Sequence, residues 1–154
     1  MKQEEKDKLI LQLKIIRDSF FGNYVSTKDK QLLLQDLSAR LPYGVKVTTT
    51  NPAADFGVMS GISIKGKISV ETKDADIVFE CTEVKPYLRP MSSMTEEEIK
   101  EYGKLCIIYD TSGTVLFDIN GLNWFNAHHL DYRGLIEKGL AIEAPEGMYN
   151  IKNK

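Results

Sequence analysis

The sequence predicts an α+β fold: N-terminal helices, a central antiparallel sheet or small β-barrel, and C-terminal helices. Three observations predict it. Before Gly44, apolar residues recur at three- and four-residue steps, the spacing of one helical face. From Val45 the period drops to two, the spacing of one face of a strand. Further on, Thr95 and Glu98 open a charged run with the S/T-x-x-E spacing of a helix capping box.

The first helix is predicted from Leu9, Leu13, Ile16 and Phe20, with Ile10 beside them and Lys and Glu on the other face. Gly22-Asn23 supplies a stop, since both residues tolerate the left-handed conformation that ends helices. A second helix comes next. Thr27 serves as its N-cap, Asp29 lies near the positive end of its dipole, and Leu33, Leu34, Leu37 and Leu41 form its stripe. Pro42 ends it, because the residue before proline is pushed out of the helical region.

VKVTTT from Val45 is rich in β-branched residues, as strands are. Asn51-Pro52 breaks it. Ile62, Ile64, Ile68 and Val70 alternate with polar residues and predict one half-buried strand, with Gly66 at a bulge or against a close neighbour. Lys73 to Asp76 is a turn, and IVFEC is the returning strand of a hairpin. Pro86 and Pro90 bracket the extended segment KPYLRP.

Thr95 caps the next helix, and Glu96, Glu97 and Glu98 complement its dipole. That helix stops at Gly103 or runs on to Cys106. CIIYD and TVLFD flank Thr111-Ser112-Gly113 as a hairpin. The last helix starts after Asp118, with Leu122, Phe125 and His129 on one face and Trp124 beside them. Gly134 and Gly139 break the chain beyond that helix into short pieces, and the C-terminus reads as a short strand and a tail.

Length and composition set bounds. The 154 residues are about one domain's worth of chain, and no repeat, low-complexity tract or Ser/Gly-rich linker divides 1–154. Twenty Lys+Arg against 22 Asp+Glu give a net charge of -2, so general nucleic-acid binding is not expected. The charge is uneven, with nine basic and six acidic residues over 1–50 and an acidic remainder. The longest unbroken apolar run, Leu105 to Tyr109, is five residues, far short of a membrane span. The opening MKQEEKDK lacks the apolar region of a signal peptide, which makes a cytoplasmic protein the default expectation. Cys81 and Cys106 read as small buried hydrophobes rather than a redox pair, having no CxxC spacing and no nearby His.

Three segments look familiar: LLLQDLSARLPYGVKV, EVKPYLRPMSSMTEEE and WFNAHHLDYRGLIEKGLAIEAPEGMY. In this order they resemble the shared blocks of an uncharacterised family of small proteins from gut Bacteroidales and their phages and prophages. The resemblance places the variable part of such chains between Thr48 and Thr82. Ser38 stands where the family would carry Cys, which argues against an essential thiol there. The resemblance implies a phage or mobile-element setting and no activity.

Candidate chemistry centres on two groups of residues. His128 and His129 precede Asp131, Tyr132 and Arg133 and are the only two histidines. Adjacent helical residues diverge by roughly 100°, so the pair does not chelate one metal, and the HExxH spacing is absent. No GxSxG nucleophile and no GxxxxGK[ST] phosphate loop occurs. The structural alternative has Asp131 capping a short helix and one His packing beside Trp124. Tyr87 with Arg89, and Tyr132 with Arg133, form two Tyr/Arg pairs of types enriched at binding hot spots and suited to phosphate or base recognition. Their structural alternative is that they stitch helix to strand.

The candidate binding set is therefore Tyr87, Arg89, Trp124, His128, His129, Tyr132 and Arg133. No catalytic residue, metal or cofactor is expected. The function expected first is non-enzymatic binding of a host protein by a phage or mobile-element accessory factor. The second is binding of a nucleotide or other small ligand through Arg and Tyr, and a His-based hydrolase comes last. Oligomeric state is not legible in the sequence.

Overall fold

The computed structural model describes residues 2–21, 25–106, 108–109, 115–116 and 119–149, with side chains at all of these except 14–21, 53, 106, 108–109, 115–116 and 119. The architecture is α+β, with helices towards both ends of the chain and a six-stranded sheet between them.

Helix α1 spans Gln3–Phe21 and α2 spans Thr27–Arg40. The stop expected at Gly22-Asn23 lies outside the described residues. The cap of α2 is Ser26 rather than Thr27: its hydroxyl accepts from Asp29 N–H at 3.1 Å, one residue earlier than expected. Leu33 and Leu37 are fully buried and carry α2 onto the sheet. The apolar stripe of α1 behaves differently. Leu9, Ile10, Leu11 and Leu13 are 44–59% exposed, so this part of α1 does not pack on the sheet, and Ile16 and Phe20 lie outside the described side chains.

The sheet contains β1 (Lys46–Thr49), β2 (Gly57–Ile62), β3 (Lys67–Glu71), β4 (Asp76–Glu80), β5 (Val84–Leu88) and β8 (Ile142–Glu143), in the order β4-β3-β2-β1-β5-β8. The first five pair antiparallel, and β8 joins β5 in parallel, Tyr87 opposite Ile142. The sheet is therefore open and mixed, not a barrel. Its buried face carries Val47, Met59, Ile68, Val70, Phe79, Val84 and Leu88.

One expected element divides in two. The run from Ile62 to Val70 is not a single strand: β2 and β3 form a hairpin joined by Ser63 to Gly66. Ile64, on the apolar face of the expected strand, is wholly exposed at the tip. Gly66 has φ +77°, and a Cβ there would lie 3.1 Å from Leu34 Cδ1. Gly66 thus turns the chain and sits under α2, as the close neighbour expected of it.

After β5 the chain forms α3 (Glu96–Cys106), a two-stranded ladder of β6 (Ile108–Tyr109) and β7 (Val115–Leu116), and α4 (Ile119–Ala127). The Thr95/Glu98 box is present in full. Thr95 Oγ1 accepts from Glu98 N–H at 3.2 Å, and Glu98 Oε2 accepts from Thr95 N–H at 2.9 Å. Helix α3 passes Gly103 and ends at Cys106. Tyr102, Trp124, Phe125 and Leu130 build a second apolar cluster between α3 and α4. Cys81 is fully buried, and burial pushes its thiol pKa up, as suits a packing residue. The side chain of Cys106 lies outside the described set.

Candidate functional site

The three familiar segments contribute α2 with β1, β5 with the start of α3, and the chain from Trp124 to Tyr149. They build the β1-β5-β8 side of the sheet, while the stretch from Thr48 to Thr82 holds the β2-β3-β4 side. All the candidate residues fall on the first side, where the end of α4 meets β5.

That junction is made by backbone. Helix α4 ends in a Schellman motif: Leu130 N–H donates to Phe125 O at 3.0 Å, and His129 N–H to Asn126 O at 3.2 Å. His129 takes the left-handed position, φ 55°, which usually goes to glycine. A side chain there costs on the order of 1 kcal/mol. The chain then runs beside Arg89, whose N–H donates to His129 O at 2.7 Å and whose carbonyl accepts from Asp131 N–H at 2.8 Å. The expectation that His129 shares a face of α4 with Leu122 and Phe125 fails for this reason. The helix has ended, and the backbone turns His129 away.

The two histidines part company. His128 stacks on Trp124 with ring centroids 3.8 Å apart, and its Nδ1–H donates to the Trp124 carbonyl at 2.8 Å. His129 is buried and stacks on Tyr149, also at 3.8 Å. The Tyr149 hydroxyl accepts from Lys46 N–H at 2.9 Å and donates to Tyr87 O at 2.8 Å, bridging β1 and β5 where β8 joins. Burial raises the Tyr149 pKa to about 12. No cluster of three or more His, Cys, Asp or Glu suited to a metal occurs among the described residues.

Arg89 holds Glu98 with both terminal nitrogens, Nη1 to Oε1 at 2.9 Å and Nη2 to Oε2 at 2.8 Å. The same nitrogens also donate to the carbonyls of His128 and Ser93. Hydrogen bonding from Arg89 outweighs burial and holds the Glu98 carboxyl below the usual range. The capping carboxylate of α3 thus anchors β5. Tyr87 lies on the opposite face of β5 from the buried Leu88, its ring 6.2 Å from that of Phe56. Asp131 accepts from Leu135 N–H and Ile136 N–H at 2.8 and 2.9 Å, closing a run of turns rather than the short helix expected.

Tyr132 and Arg133 meet two residues that periodicity and motif spacing do not single out. Asp36 and Arg40, one turn apart on α2, are both fully buried. Arg40 donates to Asp36 through Nε at 2.8 Å and Nη2 at 3.0 Å, and Nη2 also reaches Leu130 O at 2.7 Å. Arg133 Nε lies 3.5 Å from Asp36 Oδ1, and its Nη2 donates to Tyr132 Oη at 3.0 Å. Tyr132 donates in turn to Asn126 Oδ1 and lies with its ring beneath both guanidinium groups, 5.5 and 5.1 Å away.

The candidates therefore divide. Trp124, His128, Arg89 and Glu98 lock α3 and α4 onto β5. His129, Tyr149 and Tyr87 close the sheet. Tyr132 and Arg133 join Asp36 and Arg40 in a buried ionic group. A signal for the last pair was present, since Asp36 and Arg40 fall within the helical stripe of Leu33 and Leu37, where polar residues are not expected without a partner.

Comparison with known family models, curated proteins and solved structures returns no match. No described helix is long and apolar enough to cross a membrane.

Proposed function

We propose that the protein is a non-enzymatic binding protein, an accessory factor of a phage or mobile element, that acts by contacting a host protein through α1. The observation that carries this reading is the bare apolar surface of α1. Leu9, Ile10, Leu11 and Leu13 are each 44–59% exposed. At roughly 100° per residue Leu9, Leu13 and Ile10 form a stripe about 100° wide, with Leu11 beyond it. An apolar stripe of that width ordinarily faces a core, and an apolar groove on a partner would bury it. The phage setting rests on the resemblance of the three segments. The His128, His129, Trp124 and Arg89 side chains are engaged by neighbouring structural groups, so the reading does not draw on them.

Quantitative capture from host lysate tests the reading, with the wild-type chain set against a Leu9→Ser, Leu13→Ser double variant. The expected result is one partner held by the wild type in near-stoichiometric amount and at least ten-fold less by the variant. Folding stability should stay within about 0.5 kcal/mol, as for other exposed positions. No partner, or equal capture by both proteins, overturns the reading. A fall in the mass of the purified protein on substitution would identify a second copy as the occupant and also overturn it.

The alternative, a small-ligand site built on Arg and Tyr, retains Arg133 more readily than Arg89, whose terminal nitrogens are both engaged by Glu98 and neighbouring carbonyls.

A further inference from the structure

At Asp36 two guanidinium groups face one carboxylate. Arg40 and Arg133 both approach its Oδ1, at 3.0 and 3.5 Å. We propose that Arg40 and Arg133 together hold a small oxyanion of the phosphate type beside Asp36. The proposal is independent of α1 and takes the small-ligand alternative to a defined place and chemistry.

The Arg40 side chain has no exposed surface. Its Nε and Nη2 are committed to Asp36 and Leu130 O, while Nη1 is buried with no acceptor among the described residues. A buried guanidinium nitrogen with nothing to donate to is uncommon, and a bound ion or water is its usual explanation. Arg133 Nε is likewise buried without a hydrogen bond, and Nη1 takes part in none of the described ones. Its side chain is 25% exposed, which marks the side from which a solute arrives.

Charge gives the ligand its sign. Asp36 balances one guanidinium and leaves the other uncompensated in a largely buried setting, which is costly. The neighbouring carboxylates are occupied: Glu98 is held by Arg89, and both oxygens of Asp131 accept backbone N–H groups. The other titratable groups packed nearby are Tyr132, His129 and Tyr149, with Lys46 over the Tyr149 ring as a further cation. Among the described residues Asp36 is the one carboxylate in ion-pair contact with Arg40 and Arg133.

Shape gives the class. A planar guanidinium matches the paired oxygens of phosphate, and two such groups stand beside Asp36, Arg40 bound to both carboxylate oxygens and Arg133 facing Oδ1 alone. The ring of Tyr132 is already stacked on Phe125 at 5.4 Å and lies against both guanidinium groups, so it offers no open platform for a base.

The experiment is a melting titration of the full chain with inorganic phosphate, against sodium chloride at matched ionic strength, followed in parallel by 31P line broadening. A saturable rise in Tm with phosphate is expected, with binding at least ten-fold weaker in Arg133→Gln. Arg133→Lys, which keeps the charge and loses the fork, should fall between. Adenosine monophosphate separates the sources: tighter binding than inorganic phosphate points to a phosphate carried on a larger molecule, and equal or weaker binding to the free ion. Phosphate that moves the Tm no more than chloride overturns the proposal, as does phosphate binding unchanged in Arg133→Gln. A crystal grown in phosphate that shows only water at Arg40 Nη1 overturns it as well.

Discussion

Arg89 and Arg40 each grip a carboxylate with two nitrogens, and the two grips are completed differently. Arg89 meets Glu98 one to one, and its terminal nitrogens also reach two backbone carbonyls. Arg40 meets an Asp36 that Arg133 also approaches, and it keeps one buried nitrogen without an acceptor among the described residues. A balanced pair fastens elements together and has nothing left to offer a ligand. An unbalanced group of similar parts fastens elements too, yet retains charge and donors. Residue type is alike in the two places, so the difference lies in stoichiometry and burial.

Removing the shared carboxylate should have the largest effect. Asp36→Asn leaves Arg40 fully buried without its counter-charge, and a loss of about 3–5 kcal/mol in chemical denaturation is expected. A loss under about 1 kcal/mol would mean that water already solvates Arg40.

Arg89→Met should cost less, roughly 2–3 kcal/mol at pH 7, the worth of charged hydrogen bonds at a largely buried site. Its pH dependence sharpens the contrast. Arg89 holds the folded-state pKa of Glu98 below its ordinary value. The stability this contributes is complete above the ordinary carboxylate pKa of about 4.3 and is lost as pH falls through the lowered folded value. Denaturation of the two proteins across pH 7 to 2 should therefore show their gap closing below about pH 4. A constant gap would assign the loss to packing alone.

Tyr149→Phe should be mildest, about 1 kcal/mol for a hydroxyl that bridges two strands. Burial raises the folded pKa of Tyr149 to about 12. Its contribution is whole above neither value but below the ordinary tyrosine pKa of about 10, where the buried hydroxyl keeps its proton in both states. As pH rises from there through 12 the unfolded chain ionises first and stability is lost. Wild type should lose stability across that alkaline window more steeply than the variant, as followed by fluorescence during denaturation.

The α+β class, the capping box and the last helix's start were legible because each depends on local chemistry. Thr95 and Glu98 need only a spacing of three to cap a helix, and the structure shows both bonds. The β2–β3 hairpin was not legible. Ile62, Ile64, Ile68 and Val70 keep one parity straight through a four-residue turn, so alternation alone cannot show that the chain reverses at Gly66. The open, mixed character of the sheet was hidden for another reason. Strand β8 is two residues long, and its parallel place beside β5 depends on distant contacts, among them Leu130 beside Arg89 and Tyr149 on the Tyr87 carbonyl. The candidate residues do gather on one side of the sheet, but as interior contacts more than as an open surface. Asp36 and Arg40 carry a signal in their place within the stripe of Leu33 and Leu37, but periodicity scores the leucines and not the polar pair set among them.

The clasp at Tyr149 carries a kinetic consequence. Its bond to Lys46 joins residues 103 positions apart, and its bond to Tyr87 spans 62. Contacts that close such long loops carry the greatest entropic cost and are made after the shorter hairpins of β2, β3 and β4. An interaction formed that late is absent from the folding barrier and present on the way out. Weakening the clasp should leave the rate of folding nearly unchanged and hasten unfolding, so this hydroxyl sets how long the sheet stays shut.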